Sequence, residues 1–288
     1  MDSAGDEEMA VAYRRRACEL DDDACVEYHA YRAKHGERAA ALDSLERRCR
    51  AGAGSACQAA GYALIERAPT DVERARPLFE RGCNLGHDMA CHNLGYLHER
   101  ALLENSDRDV AFRSYQKACD NGLMMSCTNL GVMYGTEGPF HDEARALQLF
   151  ERVCESGDTD ACTDVGIRYF DGRGTEPDKQ RGLKMLEDAC SRANPYGCAH
   201  YGHRLFESAE SNDARREAVN VLRVGCNGGE ARACDWAAEY ALQVDESFDA
   251  EQSRELYERA YRLYRDQCDN EYDGRSCAIA ATLLEDGH

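Results

Sequence analysis

Sixteen cysteines divide this chain into a regular series of pairs, and no cysteine is left over. The members of each pair lie seven to nine residues apart, and the first cysteines of successive pairs are separated by 31 to 42 residues. The pairs are Cys18 with Cys25, Cys49 with Cys57, Cys83 with Cys91, Cys119 with Cys127, Cys154 with Cys162, Cys190 with Cys198, Cys226 with Cys234, and Cys268 with Cys277. A period in the thirties is typical of stacked helical hairpins. The chain is therefore predicted to be a repeat protein and not a two-domain enzyme.

The residues around each pair predict two amphipathic helices joined by a short turn. In one unit, Leu149, Phe150 and Val153 recur at helical spacing before the first cysteine, and Val165 and Tyr169 do so after the second. Apolar residues at this spacing form one buried stripe along a helix. The pattern predicts an all-α protein built from helical hairpins.

Two sets of glycines mark fixed positions in the repeat. One set stands three residues after the first cysteine, where a helix end favours a residue that enters the left-handed region: Gly52, Gly86, Gly122, Gly157 and Gly229. The other set stands four residues after the second cysteine: Gly61, Gly95, Gly131, Gly166 and Gly202. A glycine inside a helix costs about 1 kcal/mol, so we expect close approach of a neighbouring helix at these positions.

Units such as YQKACDNGLMMSCTNLGVMYGTEG resemble the Sel-like repeat, a relative of the tetratricopeptide repeat. The paired cysteines resemble its cysteine-rich branch, typified by the Helicobacter cysteine-rich proteins. The resemblance implies an all-α, right-handed α/α superhelical solenoid of about eight disulfide-linked hairpins. We expect one solenoid over residues 10–288 with divergent units at both ends, preceded by a disordered acidic segment at residues 1–9.

The cysteine pairs have three chemical readings: disulfides, free thiols or metal ligands. A thiol near the end of one helix can meet a thiol near the start of the next at a Cα separation of about 5.5 Å, which a disulfide requires. Each unit offers two sulfurs at C-x7-C spacing, whereas structural zinc takes four ligands. We expect eight disulfides and no metal or cofactor. The alternative is strongest in the segment CNLGHDMACH, where His92 and the nearby His98 accompany a cysteine pair.

Disulfides indicate an oxidising compartment, so a periplasmic or extracellular location is predicted. The first sixteen residues contain no apolar run of a signal peptide, and we expect either that a leader has been removed or that none is cleaved. The alternative is a cytoplasmic protein with reduced thiols. The 54 acidic and 35 basic side chains give a net charge of −19, which disfavours nucleic acid and anionic lipid as partners. No window approaches eighteen apolar residues, so no membrane insertion is expected.

The concave face of a solenoid is its usual binding surface. On each helix that begins at the second cysteine, the residues two and six positions later point together, and we call this set the ladder face. The predicted ligand-binding residues are Asn93, Asn129, Asp164, Arg168, His200, Arg204, Trp236 and Tyr240.

Two kinds of contact are expected from these side chains. Asn93 and Asn129 can both donate hydrogen bonds to a peptide backbone and accept them from it. Arg168 and Arg204 can bind a carboxylate through two hydrogen bonds. Alternatively, the asparagines solvate a helix face and Trp236 is a packing residue. The main prediction is a non-catalytic scaffold for a protein or extended peptide, with the net charge favouring a basic one. The sequence leaves the oligomeric state open.

Two other function classes remain as alternatives. The family resemblance implies weak β-lactam binding or hydrolysis, and SYQK, from Ser114 to Lys117, matches the S-x-x-K of serine β-lactamases. Neither S-D-N nor K-T-G accompanies it, so no catalytic residue is predicted. The second alternative is a thiol redox or metal-handling protein in a reducing compartment.

Overall fold

A computed structural model describes residues 3–18, 22–34, 38–66, 71–244, 250–271 and 274–285. In these ranges the chain forms sixteen helices and no strand, which confirms the all-α prediction. The helices are α1 (Ser3–Cys18), α2 (Asp22–Lys34), α3 (Arg38–Arg50), α4 (Gly54–Ile65), α5 (Val72–Asn84), α6 (Asp88–Glu99), α7 (Arg108–Asp120), α8 (Met124–Gly135), α9 (Glu143–Glu155), α10 (Thr159–Asp171), α11 (Lys179–Ser191), α12 (Pro195–Ser208), α13 (Asn212–Asn227), α14 (Ala231–Val244), α15 (Ala250–Glu271) and α16 (Gly274–Glu285).

The chain divides into two compact units, residues 1–133 and residues 134–288. In each unit consecutive helix pairs pack like a solenoid. The even-numbered helices carry the second cysteine of each pair. In the first unit α4 contacts α2 and α6, and in the second unit α12 contacts α10 and α14. Helix α1 begins at Ser3, inside the segment for which the sequence predicts disorder.

Each hairpin carries one cysteine pair at disulfide distance, so the predicted pairing is confirmed for all sixteen cysteines. The Cα atoms of the pairs from Cys49 to Cys277 are 4.4 to 4.8 Å apart. Closing a loop of nine residues removes unfolded-state entropy worth about 2.5 kcal/mol. The bridges therefore stabilise each hairpin locally.

The turn between the cysteines is a left-handed helix end, as the first glycine set predicts. These five glycines have φ between +85° and +106°. At one of them, the N–H of Gly86 donates to the carbonyl of Cys83 and the N–H of His87 donates to the carbonyl of Gly82. The equivalent position in the Cys190 unit is Ala193, which adopts φ +60° in place of glycine. The turn reverses the chain and brings the second cysteine onto the first.

At positions of the second glycine set, a side chain of the following helix occupies the space that a Cβ would need. A Cβ at Gly61 would lie 2.6 Å from the Phe79 ring, and one at Gly95 would lie 2.8 Å from the Tyr115 ring. Both aromatic rings are fully buried. The missing side chain thus makes room for a large ring from the following helix.

Basic side chains near the first cysteines cap helices of the preceding repeat, a contact that the sequence analysis did not predict. Arg81 donates to the carbonyls of Cys49 and Arg50, each at 2.9 Å. Lys117 Nζ donates to the carbonyl of Cys83 at 2.7 Å. A cation at a helix C-terminus satisfies free carbonyls and complements the helix dipole.

A thiol titration of denatured protein without reductant is expected to find almost no free thiols, because the sulfurs are covalently paired. Replacing Cys83 and Cys91 together by alanine is expected to lower the free energy of unfolding by about 2.5 kcal/mol. Full reduction before titration is the control and should expose all sixteen thiols. A count near sixteen without reductant would contradict the assignment.

Substitution of Gly95→Ala is expected to destabilise the protein by about 1 to 3 kcal/mol in chemical denaturation, because the new methyl group overlaps the Tyr115 ring. In a Tyr115→Ala background the same change is expected to become neutral or stabilising, since the ring is gone and alanine favours the helix. Equal effects in both backgrounds would show that close approach is not the reason for the glycine.

Candidate functional site

The most distinctive cluster of side chains in the second unit is a column of four rings between α12 and α14. His203 stacks on Trp236 with ring centroids 4.1 Å apart, and Phe206 stacks on Tyr240 at 3.9 Å. The Tyr240 hydroxyl and His203 Nδ1 are 2.7 Å apart and hydrogen-bonded. Positions 203 and 206, and positions 236 and 240, are neighbours on one face of their helices. We call these four residues the aromatic column.

His200 lies beside the aromatic column in an unusual state. Its ring makes edge contacts with Tyr196 at 4.7 Å and with Trp236 at 5.4 Å. Only 7% of the residue is exposed, and neither ring nitrogen has a hydrogen-bond partner in the described chain. Burial, followed by the charges of Arg232 and Arg204, lowers the pKa of His200 to about 3. The imidazole is therefore neutral at physiological pH and holds one unused donor and one unused acceptor.

Asp164 joins the same group from α10. It accepts a hydrogen bond of 3.0 Å from the Tyr196 hydroxyl, which ties α10 to α12. Burial raises the pKa of the Asp164 carboxyl from 3.8 to about 6, against the opposing effects of this hydrogen bond and the Arg168 charge. The structure thus brings Asp164, His200, Trp236 and Tyr240 into one connected network. Their role in binding stays a prediction.

Both predicted arginines already hold carboxylates of their own unit. Arg168 is buried, pairs with Glu143 and lies 4.8 Å from the Phe150 ring centroid. Arg204 donates to Asp171 at 2.7 Å and to Glu207 at 2.6 Å, while its Nε has no partner in the described chain. These arginines link helices within the unit. To bind a carboxylate of a partner protein, each would have to release a carboxylate of this chain.

The two predicted asparagines lie in the first unit. The Asn129 side chain hydrogen-bonds the hydroxyl of Tyr115, which itself donates to Glu99 at 2.7 Å. The Nδ2 atom of Asn93 is buried without a hydrogen-bond partner in the described residues. Asn93 therefore keeps an unused donor, whereas Asn129 supports a buried tyrosine. Their binding role stays a prediction.

The S-x-x-K match lies within the packing of the repeats. Ser114 on α7 is 6% exposed. Lys117 is one of the basic residues that cap the preceding repeat, through its bond to the Cys83 carbonyl. In this arrangement the serine faces the repeat interior and the lysine holds a helix end.

The histidines near Cys83 and Cys91 have partners within the chain. His92 Nδ1 lies 2.9 Å from the Ser126 hydroxyl, and His98 Nδ1 accepts from the backbone N–H of Asp107 at 3.0 Å. Among the described residues, one group of possible metal ligands comes together at a different place, formed by Cys18, Cys25 and His29. Its two sulfurs are bonded to each other, so it lacks the thiolates that bind metal.

Sequence reasoning missed three residues of the network. Tyr196 stands two residues before the second cysteine of its unit, His203 five after it and Phe206 eight after it. Tyr196, His200, His203 and Phe206 follow one another at steps of three or four residues. They therefore lie along one stripe of helix α12. Extending the ladder face by one turn toward the start of α12 would have identified Tyr196, whereas the ring contacts of His203 and Phe206 depend on how α12 and α14 pack.

The fold and this network define a helical repeat protein, and the family comparison agrees. A model described as Sel1 repeat matches residues 54–87, 88–123, 125–158, 159–194 and 234–264. These segments cover more than half of the chain, which belongs to the Sel1 repeat family. No curated protein sequence matches it significantly.

Two solved structures share the fold at low sequence identity. A Sel1 repeat protein from Oxalobacter formigenes is 19% identical, with a TM-score of 0.67 over 81% of this chain and 96% of that one. The c5321 protein, a protective antigen present in uropathogenic Escherichia coli strains, is 18% identical, with a TM-score of 0.67 over 96% of this chain and 63% of that one. This chain therefore spans less than two thirds of c5321.

The variant Asp164→Asn is expected to gain stability relative to wild type as pH rises from 4 to 7. The folded-state pKa of about 6 lies above the unfolded value, so ionisation of Asp164 destabilises the native state across this window. Asparagine cannot ionise, and the stability difference between the two proteins should shift in its favour by about 1 to 3 kcal/mol. Urea denaturation at both pH values measures this. A difference independent of pH would contradict the raised pKa.

Proposed function

We propose that this Sel1 repeat protein is a non-catalytic scaffold whose second unit binds an extended segment of a partner protein along the ladder face of α10, α12 and α14. The observation that carries the proposal is the His200 imidazole, which is buried, neutral and without a hydrogen-bond partner. A buried polar group in this state costs about 1 to 3 kcal/mol, and a ligand that pairs with it recovers that free energy.

The chemistry around His200 suits a peptide. One neutral ring nitrogen donates and the other accepts, which matches the carbonyl and N–H of a peptide backbone. Trp236 and Tyr196 border the imidazole with partly exposed rings, and such rings supply apolar contact beside a polar group. Tryptophan, tyrosine and arginine are also the residues that most often dominate binding free energy.

The net charge of the whole chain favours a basic segment. Arg168 and Arg204 are neutralised by carboxylates of the same unit, so they offer little to an acidic partner. The net charge of −19 accelerates encounter with a cationic partner and contributes less to final affinity. The eight cysteine pairs suggest an oxidising compartment, and we place the protein in the periplasm or outside the cell. None of the described helices has the length and apolar character needed to cross a bilayer.

Trp236 is the single tryptophan of the sequence, so its emission reports directly on this site. Peptides selected on the oxidised full chain from a random displayed library, then synthesised without tryptophan, are expected to shift or quench that emission on titration. His200→Leu is expected to raise the thermal midpoint, because it removes an unpaired buried imidazole, and to weaken binding about tenfold.

The matched control is His141→Leu, which removes an exposed histidine of the same unit and should leave affinity unchanged. Failure to select any peptide would overturn the proposal. Peptides that bind without changing Trp236 emission, and with equal affinity for wild type and His200→Leu, would place binding elsewhere and overturn it as well.

A further inference from the structure

The first repeat, formed by α1 and α2, differs from the others at one position of its second helix. Four residues after the second cysteine, five repeats carry a glycine, two carry an alanine, and the first repeat carries His29. The glycines at this position are crowded by the following helix, as at Gly61 and Gly95. In the first repeat an imidazole takes that place, and its Nε2 lies 3.0 Å from the hydroxyl of Ser44 on α3, the following helix. A polar ring therefore stands where the other repeats have a small residue.

The imidazole lies against the disulfide of its own repeat. The sulfurs of Cys18 and Cys25 and a ring nitrogen of His29 all lie within 4.8 Å of one another. Cys25 and His29 stand four residues apart on α2, so they share one face of that helix. In the described ranges this is the one cysteine pair whose sulfurs form such a cluster with a histidine.

One ring nitrogen of His29 is unused. Nδ1 is buried and makes no hydrogen bond within the described residues, whereas Nε2 is held by Ser44. Burial, more than the charges of nearby arginines, lowers the pKa of His29, so the ring is neutral at physiological pH. When the Ser44 hydroxyl donates to Nε2, the single ring proton lies on Nδ1. His29 then holds an unused N–H donor beside a disulfide.

An unused donor at this place favours opening of the disulfide. The sulfurs of an intact disulfide carry no charge and are weak hydrogen-bond acceptors. When a thiolate attacks one sulfur, negative charge develops on the other, which leaves as a thiolate. A donor beside that sulfur stabilises the transition state more than the starting state. The Nδ1 proton of His29 therefore lowers the barrier to thiol–disulfide exchange here.

The exposure of the two cysteines assigns their roles in the exchange. Cys25 is 1% exposed, whereas Cys18 is half-buried, so an external thiolate reaches Cys18 more readily. Cys25 shares its helix with His29 and lies in the first turn of α2, where the helix dipole also favours a thiolate. Attack is therefore expected at Cys18, with Cys25 as the leaving group.

We propose that the disulfide between Cys18 and Cys25 is a reactive centre that exchanges with the thiols of a dithiol substrate, with His29 as hydrogen-bond donor to Cys25. The incoming thiolate bonds to the Cys18 sulfur, and the electron pair of the broken S–S bond passes to the Cys25 sulfur. The second thiolate of the dithiol then attacks the substrate sulfur that is bound to Cys18 and releases Cys18 as a thiolate. Two electrons and two protons have passed to the chain, which ends with two thiols, and the dithiol has become a disulfide.

This exchange adds a reactive centre to the scaffold without making it an enzyme, because each reaction consumes the disulfide. The residues that carry it all belong to the first unit. It therefore neither requires nor contradicts the peptide site around His200 in the second unit.

Limited reduction with mass mapping tests which disulfide opens first. The oxidised full chain is treated with dithiothreitol under native conditions, free thiols are alkylated at intervals, and peptide mass spectrometry identifies them. The internal comparison is the disulfide between Cys154 and Cys162, which are both half-buried and have no clustered histidine in the described chain. We expect the pair of Cys18 and Cys25 to open about tenfold faster, the gain from one hydrogen bond to a charged sulfur. Equal or faster opening of the comparison pair would mean that exposure sets the rate and would overturn the proposal.

Substitutions of His29 separate its chemistry from a loose chain end. His29→Leu removes the donor and is expected to slow the opening of its disulfide about tenfold. Simple loosening of the first repeat would have the opposite sign and speed the opening. His29→Asn returns an N–H donor near the position of Nδ1 and should recover most of the rate.

The matched control is His92→Leu. His92 directly follows Cys91, but its Nδ1 lies 2.9 Å from the Ser126 hydroxyl. Loss of this histidine should leave the opening rate of the disulfide between Cys83 and Cys91 unchanged. Circular dichroism verifies that each variant is folded.

Three results would overturn the role of His29: an unchanged or faster rate in His29→Leu, a rate in His29→Asn as slow as in His29→Leu, or an equal slowing by His92→Leu at its own disulfide. Resistance of all eight disulfides to dithiothreitol in the folded chain would overturn the proposal as a whole. None of these measurements involves His200 or Trp236, so failure here is distinguishable from failure of the proposed peptide site.

Discussion

The structure depends on a local constraint, the closure of each helical hairpin at its turn. A left-handed glycine ends the first helix, and a disulfide joins that helix to the next only eight residues later in most repeats. Both devices act within one repeat, so neither requires a distant partner. A solenoid repeat without them depends mainly on its neighbours for stability. Here a disulfide closes each hairpin. Contacts between repeats then add stability to helix pairs that are already held antiparallel by their own turn.

Because each hairpin is closed within its own repeat, the side chains on the faces between repeats can differ from one repeat to the next. In the first unit α4 presents alanines on its ladder face and leaves a groove between tyrosines, whereas α12 and α14 of the second unit fill theirs with rings and a buried histidine. An unpaired buried imidazole costs stability. A hairpin closed by a disulfide can carry such a cost.

The sequence predicted the repeat closely where the responsible contacts are local. The cysteine offsets and the left-handed Gly86 depend on residues within one turn, and the structure confirms both. Gly95 also indicated close helix approach correctly, although its partner ring, Tyr115, had to be seen in the structure. The site was harder to predict. His200 and Trp236 were identified from their ladder positions, but His203, which stacks on Trp236, was missed because ring contacts depend on how two repeats are rotated against each other.

The sequence by itself therefore determined the helical class, the repeat length, the cysteine pairing and the glycine turns, because each arises from residues close together in the chain. Only the tertiary structure decided which polar groups are satisfied. From the sequence, Arg168 is expected to be a free cation, but in the structure it pairs with Glu143, 25 residues away. His200 is expected to be an ordinary polar residue, but neither of its ring nitrogens has a hydrogen-bond partner in the described chain. Hydrogen bonding and burial are settled by how the helices pack against one another, and the residue pattern along the chain does not encode that outcome.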